Sequence, residues 1–221
     1  SHICLRSDSP DFQDPASRKP LLVTPEAPAA AVVSHLWLRN MAPGGIAVDW
    51  RAGEQSLMID TRVSHHSKTQ QLGWQISGQG GGLIENGWNP GVSGDGLLIT
   101  SSGRKWLYAV HQEHYRGTAT DIRGAKNLAV LLLQFENSPD YLRIRDSENI
   151  AMFALLAGNW GEPVEALAHV HGGRNVALLN ARVCKTRRVV LETPGGFDAG
   201  PSSSNRSFAG HTAWIKRGTT P

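Results

Sequence analysis

The sequence predicts an all-β fold, a right-handed parallel β-helix (solenoid). Three observations carry that prediction. Asn127, Asn149 and Asn175 each stand just before an apolar run, at intervals of 22 and 26 residues, and a turn residue recurring at such a period marks a solenoid. Short aliphatic and β-branched runs follow one another along the chain, separated by Gly, Asn or Asp, and no stretch shows the periodicity of an amphipathic helix. The composition, with 24 Gly, 7 Trp and 19% charged residues among 221, suits an extended β protein with tight turns and an aromatic-lined surface. A β-sandwich also has short strands with turn signals, but it gives no reason for the repeated Asn–apolar phase. A single β-coil cannot bury its apolar face, whereas stacked coils share one continuous core.

Residues 1–30 read as an irregular lead. Pro10, Pro15, Pro20, Pro25 and Pro28 break regular structure, leaving 21–23 as one short strand. The β-helix is expected over 31–190, with roughly six coils between 35 and 185. Its earlier strands fall at 32–38, 46–50, 56–63, 74–76, 83–85 and 96–99. Its later ones fall at 106–112, 128–133, 141–144, 150–155 and 176–183. Leu128, Val130, Ile150, Met152, Val176 and Leu178 are expected to face inward in register. The recurrent Asn suits a bend, because it tolerates left-handed backbone and its amide can bond up the stack. Gly78–Gly82 reads as a tight bend between coils; with no helix and no Lys-Ser/Thr after it, a phosphate loop is disfavoured. Residues 191–221 read as a C-terminal loop and capping segment, in which 207–215 supplies a last strand or strap over the open end.

Composition narrows the partners. The formal charge is +3 and the basic residues are scattered, except for Lys185, Arg187 and Arg188, so no nucleic-acid partner is expected. No apolar run reaches transmembrane length, so no membrane partner is expected. Cys4 and Cys184 are the two cysteines, too few for a disulfide framework. The opening Ser1-His2 is not a natural start, and the chain is expected to be part of a longer protein.

The densest chemistry follows the apolar run that starts at Trp106. There His111, Gln112, Glu113 and His114 arrive together, and one strand later Gln134 and Glu136 end the run 128–133 in the same way. Glu113 and Glu136 are 23 residues apart, about one coil, so they are expected on neighbouring rungs, roughly 4.8 Å apart at the backbone. Two carboxylates that close repel each other's charge and favour sharing a proton, which is what a general acid needs. The ordinary alternative, most apt for Glu136, is a solvated residue at a strand end.

These residues resemble a known family. The run Trp106-Leu107-Tyr108, then Gln112-Glu113-His114-Tyr115, Ala125-Lys126-Asn127 and Gln134-Phe135-Glu136, resembles the C-terminal β-helix of family 55 glycoside hydrolases, in the pectin-lyase-like parallel β-helix superfamily. The resemblance implies a secreted (extracellular or periplasmic), inverting, exo-acting β-1,3-glucanase built from two side-by-side β-helices, so an upstream β-helix is an implied partner. It places Glu113 and His114 on the family's Glu-His pair, and Gln134 and Glu136 on its Gln-x-Glu. Ala109-Val110-His111 and Phe135 depart from the family's small residues and threonine.

The site expected is then Glu113 and Glu136 as the catalytic pair, with Glu113 the acid and Glu136 its tuner. His111, Gln112, His114, Gln134, Trp88 and Tyr108 are the candidate substrate-binding groups, and Glu85 or Asp95 the candidates for a base. Trp74, Trp106 and Trp160 also offer flat faces to sugars, core packing being the commoner role; Trp88 is expected exposed on a turn. No cofactor and no metal are expected: His65 and His66 point to opposite faces of a strand, and His169 and His171 share a face but lack a third ligand. The partner expected is a polysaccharide or oligosaccharide. A non-catalytic carbohydrate-binding or scaffold β-helix, and a polysaccharide lyase or epimerase, are the alternatives. A lyase needs a Lys or Arg base and often calcium, and no suitable Asp cluster appears.

Overall fold

The computed structural model describes residues 1–65, 72–90, 94–159, 162–192, 209–211 and 214–216. Two long sheets run along a solenoid of about 7 turns. The first sheet carries β1 (His2–Leu5), β3 (Val32–Asn40), β5 (Leu57–His65), β7 (Gly82–Glu85), β8 (Trp88–Pro90), β10 (Lys105–Glu113), β12 (Lys126–Glu136), β14 (Glu148–Gly158), β16 (Arg174–Leu179) and β17 (Ala181–Cys184). The second carries β2 (Lys19–Val23), β4 (Gly45–Trp50), β6 (Leu72–Ile76), β9 (Asp95–Ile99), β11 (Thr118–Arg123), β13 (Asp140–Arg145), β15 (Val164–His171) and β18 (Thr186–Glu192). Within each sheet these strands pair in parallel, each with the strand one coil away. Two short strands, β19 (Ala209–His211) and β20 (Trp214–Lys216), pair antiparallel to β17 and β16.

Strand alternation stacks apolar side chains inside, rung on rung. Met58, Ile84, Leu107, Val130, Met152 and Leu178 form one register column across six coils, and none is more than 4% exposed. Leu128, Ile150 and Val176 form the column beside it. On the opposite wall Trp50, Ile76, Ile99, Ile122, Ile144 and Val170 stack with no more than 1% exposure. Each such side chain contributes about 1.5–3 kcal/mol by leaving water, and the shared core explains why no coil stands alone.

Positive φ recurs at the bends of the coils. Asn127, Asn149 and Asn175 have φ of 55°, 58° and 54°. Asn149 Nδ2 donates to Asn127 Oδ1 at 3.1 Å, and Asn175 Nδ2 to Asn149 Oδ1 at 2.9 Å, so the amides bond up the stack. A second column of left-handed residues kinks the first sheet mid-strand: His35, Asp60, Asn86, Ala109, Leu132, Ala154 and Asn180, with φ between 47° and 66°. The repeated kink divides each strand of that sheet into two segments facing different directions.

The lead differs from its expectation. Its prolines do not prevent coiling: β1 pairs with β3 and β2 with β4, so residues 1–30 form the first turn. Pro20 sits within β2 at the sheet's end, where an edge strand tolerates a missing donor. That coil raises the count from the six expected. Cys4 and Cys184 are both free thiols; they lie on the first and last coils, so the stack itself separates them. Among the described residues no helix is long and apolar enough to cross a membrane.

Candidate functional site

The second segment of the first sheet, beyond the mid-strand kink, carries the candidate site. On β10, alternation turns His111 and Glu113 outward and Gln112 inward; on β12 it turns Gln134 and Glu136 outward and Phe135 inward. Parallel register sets His111 beside Gln134 and Glu113 beside Glu136, as the 23-residue spacing requires. Trp88 of β8 lies one coil before His111.

The side chains converge. His111 Nε2 stands 3.7 Å from Glu113 Oε2 and 3.5 Å from Glu136 Oε1. Glu113, with 13% of its side chain exposed, receives a hydrogen bond on Oε1 from the Trp88 indole N–H at 3.0 Å. Gln134 Nε2 donates to Glu136 Oε1 at 2.6 Å. His114, at the corner with φ 61°, places Nδ1 3.7 Å from Glu113 Oε2, and its Nε2 meets Asn137 Nδ2 at 3.3 Å.

Toward the N-terminus the same register column continues as His2, Trp37, Arg62, Trp88 and His111. These groups stack along the solenoid axis. The Arg62 guanidinium carbon lies 3.3 Å from the Trp88 ring centre and 4.9 Å from that of Trp37, and His2 stacks on the far side of Trp37 at 4.9 Å. The cation is thus held between two indoles. Two adjoining depressions follow this column. One is lined by Trp37, His35, Asp60 and Arg62, and the other by Asp60, Arg62, Asn86, Trp88, Ala109 and His111.

The structure brings together Glu113, Glu136, His111, His114, Gln134 and Trp88 from the expected set. Two members are corrected. Gln112 is 0% exposed and faces the interior, because it falls between the outward residues 111 and 113; it cannot touch a ligand there. Tyr108 is exposed, but it lies before the kink at Ala109, in the column with Glu85, Leu131 and Phe153, on the other facet. Trp88 is half-buried in a strand rather than exposed on a turn. One face is covered by Arg62 and the other turns to His111, 6.4 Å away, so it offers Glu113 an N–H more readily than it offers a sugar its face.

The remaining candidates separate by position. Glu85 lies before the kink, beside Tyr108, and Asp95 Oδ1 accepts the Thr118 backbone N–H at 2.8 Å as a corner brace. Trp74 is buried in the core, whereas Trp106 is exposed on the first segment. Trp160 and His66 lie outside the described residues, as does the side chain of His65. His169 and His171 share β15, and among the described residues no third ligand joins them. Sequence reading missed Trp37, Arg62, Asp60 and Asn86. The signal was present: positions 37, 62, 88, 111 and 134 follow one another at 23 to 26 residues, the same period as the asparagines.

The donor set made by His111, Glu113 and Glu136 was also missed, because its members were read as an acid pair and a binding residue. Their ligand atoms all lie within 4.8 Å of one another. No protein-family model matches the sequence, and no curated protein matches it significantly.

Proposed function

We propose that this chain is a carbohydrate-active β-helix protein with glycoside hydrolase-like chemistry, in which Glu113 is the general acid. The observation that carries the reading is the pair Glu113 and Glu136, on adjacent rungs at the end of a depression lined by Trp88 and Arg62. The resemblance of the stretch from Trp106 to Glu136 to family 55 glycoside hydrolases supports it and points to a β-glucan.

Each group has a role in that chemistry. Glu113 delivers its proton to the glycosidic oxygen, and the Trp88 N–H fixes the carboxyl through its other oxygen. Glu136 stands too close to be a water-separated base: an inverting pair is about 6.5–9.5 Å apart, and these carboxylates have oxygens within 4.8 Å. Glu136, held by Gln134, is therefore not the base that activates water. His111, His114 and Arg62 are the groups placed to bind sugar hydroxyls.

The test is Glu113→Gln assayed on laminarin-type β-1,3-glucan oligomers. Turnover is expected to fall by about 10²–10⁴-fold, the range for losing a general acid, with oligosaccharide binding retained. Wild-type turnover in that variant removes Glu113 from the chemistry.

A further inference from the structure

We propose that His111, Glu113 and Glu136 also form a site for one divalent transition cation, of which zinc is the best fit. The inference does not rest on the hydrolase reading, because it concerns binding and needs no substrate.

The donor geometry is the first argument. Zinc binds imidazole nitrogen and carboxylate oxygen at about 2.0–2.2 Å, so two ligands at a tetrahedral angle stand roughly 3.4 Å apart. His111 Nε2 is 3.5 Å from Glu136 Oε1 and 3.7 Å from Glu113 Oε2. These distances exceed a good hydrogen bond, yet they match two edges of a coordination tetrahedron. The third edge, between the carboxylates, closes within 4.8 Å.

The second argument is the state of the imidazole nitrogen. His111 Nε2 is itself out of contact with solvent and has no hydrogen-bond partner. A nitrogen shielded from solvent and without a hydrogen bond carries a desolvation cost, and the two carboxylate oxygens face this one at ion-pair distance and not at hydrogen-bond distance. A cation at their common centre would take the nitrogen's lone pair and both negative charges together.

The surroundings suit a metal as well. The Trp88 N–H bonds Glu113 Oε1, which leaves Oε2, faced by His111 and His114, to ligate. Gln134 occupies one lone pair of Glu136 Oε1, and a carboxylate oxygen has a second. Such outer hydrogen bonds orient ligating carboxylates. Two carboxylates and one neutral imidazole balance a 2+ ion, and three protein ligands leave a fourth position for water. The nitrogen ligand discriminates against calcium, which takes six to eight oxygens. A cation on Glu113 Oε2 would displace the proton that acid catalysis requires, so zinc would act as an inhibitor of any hydrolase activity.

The test is calorimetric titration of the chelator-treated whole chain with Zn²⁺ and separately with Ca²⁺, without sugar. One Zn²⁺ per chain is expected, with no Ca²⁺ binding at the same concentration. His111→Ala and Glu113→Gln should each weaken Zn²⁺ by more than about 100-fold, and Trp88→Phe, which removes an outer hydrogen bond, by roughly 10-fold. His169→Ala, on the opposite sheet, should leave affinity unchanged. Circular dichroism shows that each variant is folded. Absence of 1:1 binding, or equal affinity in folded His111→Ala, overturns the site. Zinc binding by a chain that hydrolyses no glucan when metal-free sustains the site while removing the acid-catalysis reading; hydrolysis by the metal-free chain without 1:1 zinc binding does the reverse.

Discussion

The two ends of β12 obey opposite rules. At its start Asn127 repeats the residue, the left-handed φ and the amide bond of Asn149 and Asn175 on the coils beyond. At its end no residue repeats along the stack beyond the single step from Glu113 to Glu136. Along one column Trp88 gives way to His111, Gln134, Leu156 and Arg182, and along the next Glu113 gives way to Glu136, Gly158 and Cys184. Both ends share one backbone scaffold, one register and one period. Where the side chain repeats, it maintains the bend; where it does not, the bend is free to carry chemistry. The converging polar groups accordingly sit on three neighbouring rungs, those of Trp88, Glu113 and Glu136, and not along the whole stack.

The first way to break this comparison is to remove what holds the asparagine corner where its ladder ends. One coil before Asn127 the register offers Arg104 instead of asparagine, and there Lys105 is turned inside. Its ammonium, 1% exposed, donates to the carbonyls of Ser101 at 3.1 Å and Lys126 at 2.6 Å. Burial lowers its pKa from 10.5 to about 8, only partly offset by the Glu54 charge. Below pH 8 the ammonium is charged in both folded and unfolded chains, and the fold bears the cost. Between about 8 and 10.5 the unfolded chain holds more protons, so this group's contribution to stability rises with pH, by about 3 kcal/mol in all. Tyr115 and Tyr141 act in the opposite sense. Burial raises both, so above about pH 10 the unfolded chain loses phenolic protons that the fold retains, and stability falls. Urea unfolding across pH 7–11 should therefore show a maximum between pH 9 and 10. Lys105→Met should flatten the rising limb alone; a rising limb that survives in Lys105→Met separates it from this lysine.

How legible each end was in the sequence follows from the same distinction. The asparagine phase, the inward columns through Val130 and Met152, and the stacking of Glu113 on Glu136 were readable because repetition at one period carries them. The first coil was not. Five prolines suggested a break, but a first coil needs pairing along only one side. The Trp37–Arg62–Trp88 stack shares the period yet changes residue type at each step, so neither composition nor motif marked it. Gln112 and Tyr108 were misplaced for local reasons: strand alternation buries one, and the left-handed kink at Ala109 carries the other onto a different facet. A kink at an alanine or at Leu132 has no signature in residue type, since both residues disfavour positive φ; only the register of the whole column makes it visible.

A smaller effect is expected from the ladder itself. Asn149 both donates to Asn127 and accepts from Asn175 at a left-handed position. Asn149→Ala places a Cβ residue where left-handed backbone costs about 1–2 kcal/mol and removes two solvent-exposed side-chain bonds, for about 2 kcal/mol in all. Asn149→Gly should cost less, because glycine keeps the backbone. Gln134→Ala, at the other end of the same pair of strands, should change the denaturation midpoint little. Equal losses for Asn149→Ala and Gln134→Ala would show that the two ends are not divided between structure and chemistry.

The smallest effect tests whether Trp88 belongs to the variable end as a positioning residue. Its indole does two separable things: the N–H bonds Glu113 Oε1 at 3.0 Å, and the ring carries the Arg62 guanidinium at 3.3 Å. Phenylalanine retains an aromatic face and lacks the donor, so Trp88→Phe isolates the hydrogen bond. A bond to a carboxylate is worth about 1.5–3 kcal/mol when buried, and the Glu113 side chain is 13% exposed, so the lower part of that range applies. If Glu113 acts on a glycosidic bond, kcat should fall by roughly 10-fold while KM and the unfolding midpoint stay close to wild type. Arg62→Ala should move KM instead, since the guanidinium faces the depression without holding the acid. A Trp88→Phe enzyme with unchanged kcat and a raised KM would reverse those roles, making the indole a substrate contact and leaving Glu113 to be oriented by its histidines.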